Sequence, residues 1–248
     1  AGDANAQARY AQAARELTDR INAHLWDASR GAYIDSIHND GTKSTSVSRQ
    51  INTLALLHGV VPADRAGRVL EVALGQGDEN VVQFGSPFAT LYLLELLGET
   101  GRVGEMLDVI REKWGGMMDE QTTTFWESFP EGNLGGARYP TRSYCHAWSS
   151  GPAYAFSRYV LGVRPEAPGG AAVSVCPSLD SLEAASGVVP LPAGRIEVSW
   201  KRDGTDRATV ELRRVGAVDV AFRAPEGWRV EDSAVLYDDS AHRYALSK

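Results

Sequence analysis

The apolar pattern of this chain changes once, at a proline- and glycine-rich stretch, residues 164–170 (RPEAPGG). Before this stretch, apolar residues recur at spacings of three and four, which indicates helices that each bury one face. After it, apolar and polar residues alternate, which is typical of strands with one buried face. We therefore interpret the stretch as a linker and predict two domains, a helical domain at residues 1–165 and a β-rich domain at residues 166–248.

The first domain is predicted to contain six helices, and their order suggests three helical hairpins. The first helix covers residues 5–25, where a stripe of apolar residues that includes Leu17 and Ile21 predicts a buried face. Ser86 and Pro87 predict the start of the fourth helix, because serine caps free amides and proline has a helical φ. Glycines predict the helix ends, at Gly59, Gly98, the Gly115 and Gly116 pair, and Gly162.

The second domain is predicted to contain about seven or eight short antiparallel strands, which fit a small β-sandwich. Polar and apolar residues alternate through residues 195–200, 208–212 and 218–222. Turn residues lie between these segments, at 203–204 (DG) and 225–227 (PEG). The predicted fold class is therefore α+β, with helices first and an antiparallel sandwich second.

Composition excludes several classes of partner. The formal charge of −7 comes from interspersed acidic and basic residues, with no basic stripe for phosphate groups and no polybasic segment for an anionic membrane. We therefore predict neither nucleic acid nor membrane as a partner. No apolar run approaches the roughly 20 residues that span a bilayer, and the start AGDANAQARY lacks the features of a signal peptide. Localisation stays open, and a first residue other than methionine suggests processing or the loss of an upstream segment.

The cysteines and acidic residues do not indicate a metal site. Cys145 and Cys176 are the only cysteines, and they lack the paired spacing of a structural zinc site. The chain has no dense Asp–Gly loop with the spacing of calcium ligands. We expect no metal and no cofactor.

Two segments combine side chains that could perform chemistry, residues 122–128 (TTTFWES) and residues 143–152 (SYCHAWSSGP). Cleavage of a glycosidic bond needs two carboxyl groups on opposite sides of the anomeric carbon. Glu127 is a candidate for one of them, because it lies in a loop beside Trp126, whose indole could stack on a sugar and exclude water. The alternative interpretation is an ordinary solvated loop glutamate.

His146 lies just before the sixth predicted helix, where an imidazole could donate to a sugar hydroxyl or orient a base. The alternative is a partly buried histidine with a structural role, although the neighbouring Trp148 favours a ligand site. Ser149 lacks the Gly-x-Ser-x-Gly setting of a serine nucleophile, which disfavours a serine hydrolase. For Trp26 and Tyr33, core packing is the favoured interpretation over a place in a pocket.

These segments resemble glycoside hydrolase family 78, the inverting α-L-rhamnosidases. The resembling segments are residues 26–28 (WDA), 85–88 (GSPF), 123–127 (TTFWE), 145–149 (CHAWS), 189–192 (VPLP) and 196–200 (IEVSW). The resemblance implies an (α/α)6 barrel followed by a small β-sandwich. It also implies that Glu127 is the general base that activates water, that His146 contacts rhamnose hydroxyls, and that Trp126 and Trp148 form an apolar wall.

The chain also departs from this family. The general acid of the family lies in an Arg-x-Glu-Arg segment followed by a Trp-x-Gly-Asp element, and neither is present here. Three hairpins are half of such a barrel, so the chain resembles only the C-terminal portion of the enzyme. A half barrel would leave inner apolar side chains in water, at roughly 1.5–3 kcal/mol each. We therefore expect a partner, either an upstream barrel half or a second copy of the chain.

The sequence leads to one main functional hypothesis and two alternatives. The main hypothesis is an α-L-rhamnosidase that removes terminal rhamnose from a glycoside or polysaccharide with inversion, this chain supplying the base and being inactive alone. The first alternative is a non-catalytic carbohydrate-binding or scaffold fragment. The second is another (α/α)6 enzyme, since barrel pockets accept different sugars when their loops change.

Overall fold

The computed structural model describes residues 3–76, 79–119, 123–129, 143–236 and 240–248. Within these ranges the chain forms six α-helices and three β-sheets. It divides into two compact units, one of Ala1–Leu96 with Gly116–Ser149 and one of Leu97–Gly115 with Ser150–Lys248. The predicted domain boundary after residue 165 differs from this division and stays a prediction.

The helices follow the predicted order. They are α1 (Ala4–His24), α2 (Arg49–Leu57), α3 (Ala63–Ala73), α4 (Pro87–Glu99), α5 (Val103–Asp119) and α6 (Gly151–Ala155), the last continued by a π-helical turn, Phe156–Val160. The α4 helix begins at Pro87, and the Ser86 hydroxyl accepts the Ala89 backbone N–H at 3.2 Å. This cap confirms the predicted start of the fourth helix.

Two predictions about the helices are wrong. No residue of α1 is buried, and Leu17 is 59% exposed, so the described residues cover the apolar stripe of this helix only in part. The α5 helix continues through Gly115 and Gly116 to Asp119. Met117 lies beyond the two glycines and is buried, and such packing offsets the roughly 1 kcal/mol that each glycine costs in a helix.

The core of the first unit forms around Tyr33. Strands β1 (Trp26–Asp27) and β2 (Ala32–Tyr33) form a short antiparallel pair in which Trp26 lies opposite Tyr33. The Tyr33 side chain is fully buried, and the Trp26 ring meets it edge-on at 5.2 Å. The buried Asn52 amide accepts from Tyr33 N at 2.9 Å and donates to Tyr33 O at 3.1 Å. These contacts confirm that Trp26 and Tyr33 are packing residues.

The second unit contains two larger sheets. Its strands are β3 (Val163–Pro165), β4 (Ala172–Val175), β5 (Ala184–Leu191), β6 (Gly194–Asp203), β7 (Arg207–Gly216), β8 (Asp219–Phe222), β9 (Arg229–Val235) and β10 (Ala241–Ser247). One sheet has the order β5-β6-β7-β10-β9 and is antiparallel, and the other has the order β3-β4-β8. The β4–β8 pair is parallel, so the prediction of antiparallel pairing throughout is wrong.

Alternate residues of the central strands bury one face of the five-stranded sheet. Ile196, Val198 and Trp200 of β6 are each at most 2% exposed. The Trp200 indole N–H donates to Val160 O at 3.3 Å, which ties the sheet to the π-helical turn. Gly162 follows this turn with φ +77°, and a Cβ there would lie 1.9 Å from the Cys176 carbonyl oxygen. Only glycine fits this position.

A polar cluster also lies in the second unit, around the Glu99 carboxylate. Glu99 accepts hydrogen bonds from Arg158 at 2.9 Å and from the Tyr159 hydroxyl at 2.9 Å, and it forms an ion pair with Arg164 at 3.0 Å. Burial alone would raise the pKa of Glu99, but hydrogen bonds from Arg158 and Tyr159, together with Arg164, outweigh burial and lower it. Burial and the Glu99 contact raise the pKa of Tyr159.

Among the described residues, no helix has the length and apolar character needed to cross a membrane.

Candidate active site

The two segments singled out in the sequence lie side by side in the first unit. Thr122 of the first segment lies outside the described residues, and we call residues 123–129 and 143–149 the paired loops. The Glu127 backbone N–H donates to Ser143 O at 2.9 Å, and the His146 backbone N–H donates to Phe125 O at 2.8 Å. The Thr124 hydroxyl adds a hydrogen bond to Tyr144 O. Backbone pairing therefore holds the loop of Glu127 against the loop of His146.

Glu127 is the predicted base, and its side chain is half-buried. Its position is fixed through its backbone bond to Ser143 rather than by an element of regular structure. Loops positioned by a rigid scaffold often carry catalytic groups, because helices and strands are used for packing. The neighbouring Trp126 and the nearby Phe129 are buried, and they anchor this loop in the unit.

Trp126 was predicted as part of an apolar wall, and the structure places it mostly inside the protein. Its side chain is 7% exposed, its ring meets Tyr144 edge-on at 4.9 Å, and its backbone N–H points to the Met117 sulfur at 3.5 Å. The indole N–H is buried and has no hydrogen-bond partner within the described ranges. Trp126 therefore packs behind the loop, and Tyr144 rather than Trp148 is its aromatic partner.

His146 and Trp148 are brought together in the second of the paired loops. His146 is half-buried, and its ring lies 6.2 Å from the Trp148 ring in an edge-on arrangement. Trp148 belongs to a 3₁₀ turn, Ala147–Ser149, that is closed by a bond from Ser149 N to His146 O at 3.0 Å. The Ser149 side chain is fully buried, so the turn is held in place at one end.

The ring of Phe88 also belongs to this site, and residue types alone did not predict it. Trp148 is 67% exposed and stacks on Phe88 at 4.9 Å with an angle of 25° between the ring planes. Phe88 lies in the first turn of α4. Its segment, residues 85–88, carried part of the family resemblance, and that was the only signal that could have pointed to it.

The described residues do not suggest a metal site in this region. No group of three or more His, Cys, Asp or Glu side chains is placed to hold a metal ion within those residues. Cys145 lies between Tyr144 and His146 as a free, exposed thiol.

A concavity lies elsewhere, on the outer face of the five-stranded sheet. It has a volume of about 620 Å³ and is lined in part by Glu197, Glu211 and Arg213. Glu197 pairs with Arg195 at 2.8 Å, and Glu211 pairs with Arg243 at 2.6 Å. The charges of this face therefore neutralise one another, and the paired loops remain the better candidate for chemistry.

Comparison with known proteins identifies a family for the chain. Residues 1–160, which contain the paired loops, match the family model described as the bacterial alpha-L-rhamnosidase 6 hairpin glycosidase domain. A search of curated protein sequences finds no match.

Solved structures of rhamnosidases are similar to the chain. The GH78 family rhamnosidase of Bacillus sp. GL1 is 39% identical over 85% of this chain, with a TM-score of 0.77. The alpha-L-rhamnosidase from Dictyoglumus thermophilum covers 100% of this chain at 18% identity, with a TM-score of 0.73, so it supports the fold alone. The chain spans 22% of the first protein and 29% of the second.

Proposed function

The chain belongs to the family of bacterial α-L-rhamnosidases with a six-hairpin glycosidase domain, and on this premise we propose that Glu127 is the general base of a rhamnoside-cleaving site. The substrate is terminal α-L-rhamnose of a glycoside or polysaccharide, hydrolysed with inversion. The observation that carries the proposal is the pairing of the loop of Glu127 with the loop of His146, through Phe125 O and Ser143 O.

In this mechanism Glu127 accepts a proton from a water molecule as that water attacks the anomeric carbon of rhamnose. An acid on the opposite side protonates the departing oxygen, so the anomeric configuration inverts. His146 donates to rhamnose hydroxyls and fixes the sugar against the loop. Trp126 contributes the wall behind Glu127 through the 7% of its side chain that is exposed, and Trp148 contributes an open ring face.

The general acid is proposed to lie outside this chain, on an upstream barrel half. The chain lacks the Arg-x-Glu-Arg and Trp-x-Gly-Asp segments that carry the acid in family 78. Its six described helices would form half of an (α/α)6 barrel, followed by a small β-sandwich built from the sheets of the second unit. The upstream half would be part of the same polypeptide or be replaced by a second copy, and we call the resulting complete protein the assembled enzyme.

The uncovered face of α1 supports this arrangement. Tyr10 is 67% exposed and Leu17 is 59% exposed, and they lie seven positions apart on one side of the helix. Ile21 continues the same side and packs partly against the cluster around Tyr33. An apolar stripe that is only partly covered is typical of a helix that packs on a further segment.

The proposal is tested by comparing the assembled enzyme with its Glu127→Gln variant. Loss of a general base is expected to lower kcat about 10²–10⁴-fold. Because the base acts on water, the loss should be similar for a good leaving group, such as 2,4-dinitrophenol, and for a poor one, such as methanol. A variant that recovers activity with the better leaving group would identify Glu127 as the acid, and full activity would refute a catalytic role.

A second candidate function is a carbohydrate-binding or scaffold fragment without catalysis. The missing acid segment favours this alternative. It predicts that the chain, combined with an upstream barrel half, binds L-rhamnose in calorimetry but does not release rhamnose from an aryl rhamnoside. Hydrolysis that requires Glu127 would exclude it.

A further inference from the structure

Phe88 and Trp148 form a stacked aromatic pair at the edge of the paired loops. The ring centres are 4.9 Å apart and the planes differ by 25°, which is a favourable stacked arrangement. Phe88 covers one side of the indole, and Trp148 still keeps 67% of its surface exposed. We call these two rings the Phe88–Trp148 platform.

Local structure holds both rings of the platform in place. Phe88 lies in the capped first turn of α4, where Ser86 O also accepts the Thr90 backbone N–H at 3.1 Å. Tyr92, one turn further along α4, meets the Phe88 ring edge-on at 5.8 Å. Trp148 is fixed by its 3₁₀ turn and the buried Ser149. A flat surface that is ordered before binding loses little entropy when a ligand stacks on it.

The two predicted wall tryptophans differ in what they offer a ligand. Trp126 is 7% exposed, whereas Trp148 is 67% exposed and offers an open ring face. Trp148 is also the more exposed neighbour of the half-buried His146, at 6.2 Å between ring centres. A ligand whose sugar is held by His146 therefore meets Trp148 on the outer side.

The surroundings of Trp148 indicate which chemical group it contacts. Its ring neighbours in the described residues are Phe88 and His146. A sugar needs several hydrogen-bond partners around its ring as well as a stacking surface. A planar aromatic group needs only the flat apolar surface.

We propose that the Phe88–Trp148 platform binds the aglycone of the substrate and favours planar aromatic aglycones. This inference rests on the proposed function, since it requires rhamnose to lie between Glu127 and His146. The platform takes part in no bond making or breaking. It holds the group that leaves with the glycosidic oxygen, and its effect is on binding.

The test uses equilibrium binding, so it does not depend on turnover. Calorimetry on the Glu127→Gln assembled enzyme compares phenyl α-L-rhamnoside with methyl α-L-rhamnoside, which differ only in the aglycone. One stacked ring is worth about 0.5–1.5 kcal/mol, so the phenyl compound should bind about 2- to 13-fold more tightly. Trp148→Ala should reduce this ratio to about one, because it weakens binding of the phenyl compound more than binding of the methyl compound.

Control variants separate a stacking role from a general one. Trp148→Phe keeps a flat ring and should retain most of the phenyl preference. Equal weakening of both rhamnosides by Trp148→Ala would place the indole against rhamnose itself and overturn the inference, as would an unchanged phenyl preference. Failure of the proposed function has a different signature, because the Glu127→Gln enzyme would then still hydrolyse phenyl rhamnoside.

Discussion

The first helix and the five-stranded sheet differ in how completely their apolar side chains are buried. No residue of α1 is buried, although its sequence has the apolar stripe of a packed helix. In the sheet, Ile196, Trp200 and Leu212 are at most 4% exposed. The sheet therefore finds its packing partners within the described residues, whereas the apolar face of the helix is only partly covered by them, at Ile21.

This difference separates two reasons for an apolar pattern. The apolar residues that alternate along β6 are buried inside the second unit, where the Trp200 indole N–H also donates to Val160 O. The stripe of α1 is only partly covered by the described residues, which fits the proposal that this helix packs on a further segment. Four substitutions test the contrast, in order of their expected effect on the stability of the chain.

The largest effect is expected for Gly162→Ala. The new Cβ would lie 1.9 Å from Cys176 O, and backbone atoms there cannot move aside easily. We expect a loss of about 4 kcal/mol or more in the free energy of unfolding, measured by urea titration. Gly59→Ala is the matched control, because Gly59 has φ +65° and nothing within 4 Å, so only the roughly 1–2 kcal/mol of a left-handed backbone is lost. If the two substitutions lowered the free energy of unfolding equally, the clash with Cys176 O would not explain the effect of Gly162→Ala.

Trp200→Ala should be nearly as damaging. The side chain is 2% exposed, and its removal leaves a cavity and deletes one of the two hydrogen bonds that Val160 O accepts, the other coming from Ser178 N. Such truncations cost about 3–5 kcal/mol. Thermal unfolding followed by circular dichroism measures this change. A loss below about 1 kcal/mol would mean that the sheet does not complete its own core as described.

A smaller, pH-dependent effect is expected for Glu99→Gln. The pKa of Glu99 is lowered from its ordinary 4.5, so its ion pairs stabilise the fold above that value and are lost as the pH falls through the folded-state pKa. The side chain is 39% exposed, which keeps the contribution below about 1 kcal/mol. The melting temperatures of variant and parent should differ at pH 7 and converge as the pH falls below the folded-state pKa of Glu99.

The control for Glu99 is Glu105→Gln. Glu105 pairs with Arg102 within one turn of α5 and is 50% exposed, so it joins no separate elements. Its substitution should change the melting temperature less at pH 7. A difference between parent and Glu99→Gln that grows on acidification would contradict the account of the cluster.

The smallest effect is expected for Leu17→Glu in this chain alone. Leu17 is 59% exposed, so its substitution should change the free energy of unfolding by no more than about 0.5 kcal/mol. In the assembled enzyme the same charge would enter an apolar contact, and activity or assembly should fall. Measurement of both quantities tests the contrast directly, since a strong effect in the chain alone would show that α1 is packed internally.

Local sequence signals predicted the elements well where neighbours along the chain decide the structure. Ser86 and Pro87 predicted the start of α4, and Gly162 marked the end of the last helical segment. Helix α5 was predicted too short, because burial of Met117 outweighs the local effect of Gly115. Local propensity loses to tertiary packing at such a position.

Contacts between segments that are distant in sequence could not be predicted from such local signals. The parallel pairing of β4 with β8 depends on where the intervening strands place β8 in space. The stacking of Phe88 on Trp148 joins the start of α4 to a loop far along the chain. Residue types predicted Glu127, His146, Trp126 and Trp148 as candidates, and only the fold brings Phe88 to Trp148.

The most direct test of Glu127 as the base is chemical rescue of the Glu127→Gly assembled enzyme by azide. A small anion can occupy the space of the missing carboxylate and attack the anomeric carbon in place of activated water. The account predicts that azide restores release of the aglycone from an aryl α-L-rhamnoside and that the product is β-L-rhamnosyl azide, identified by NMR. No rescue, or a product that keeps the α configuration, would contradict it.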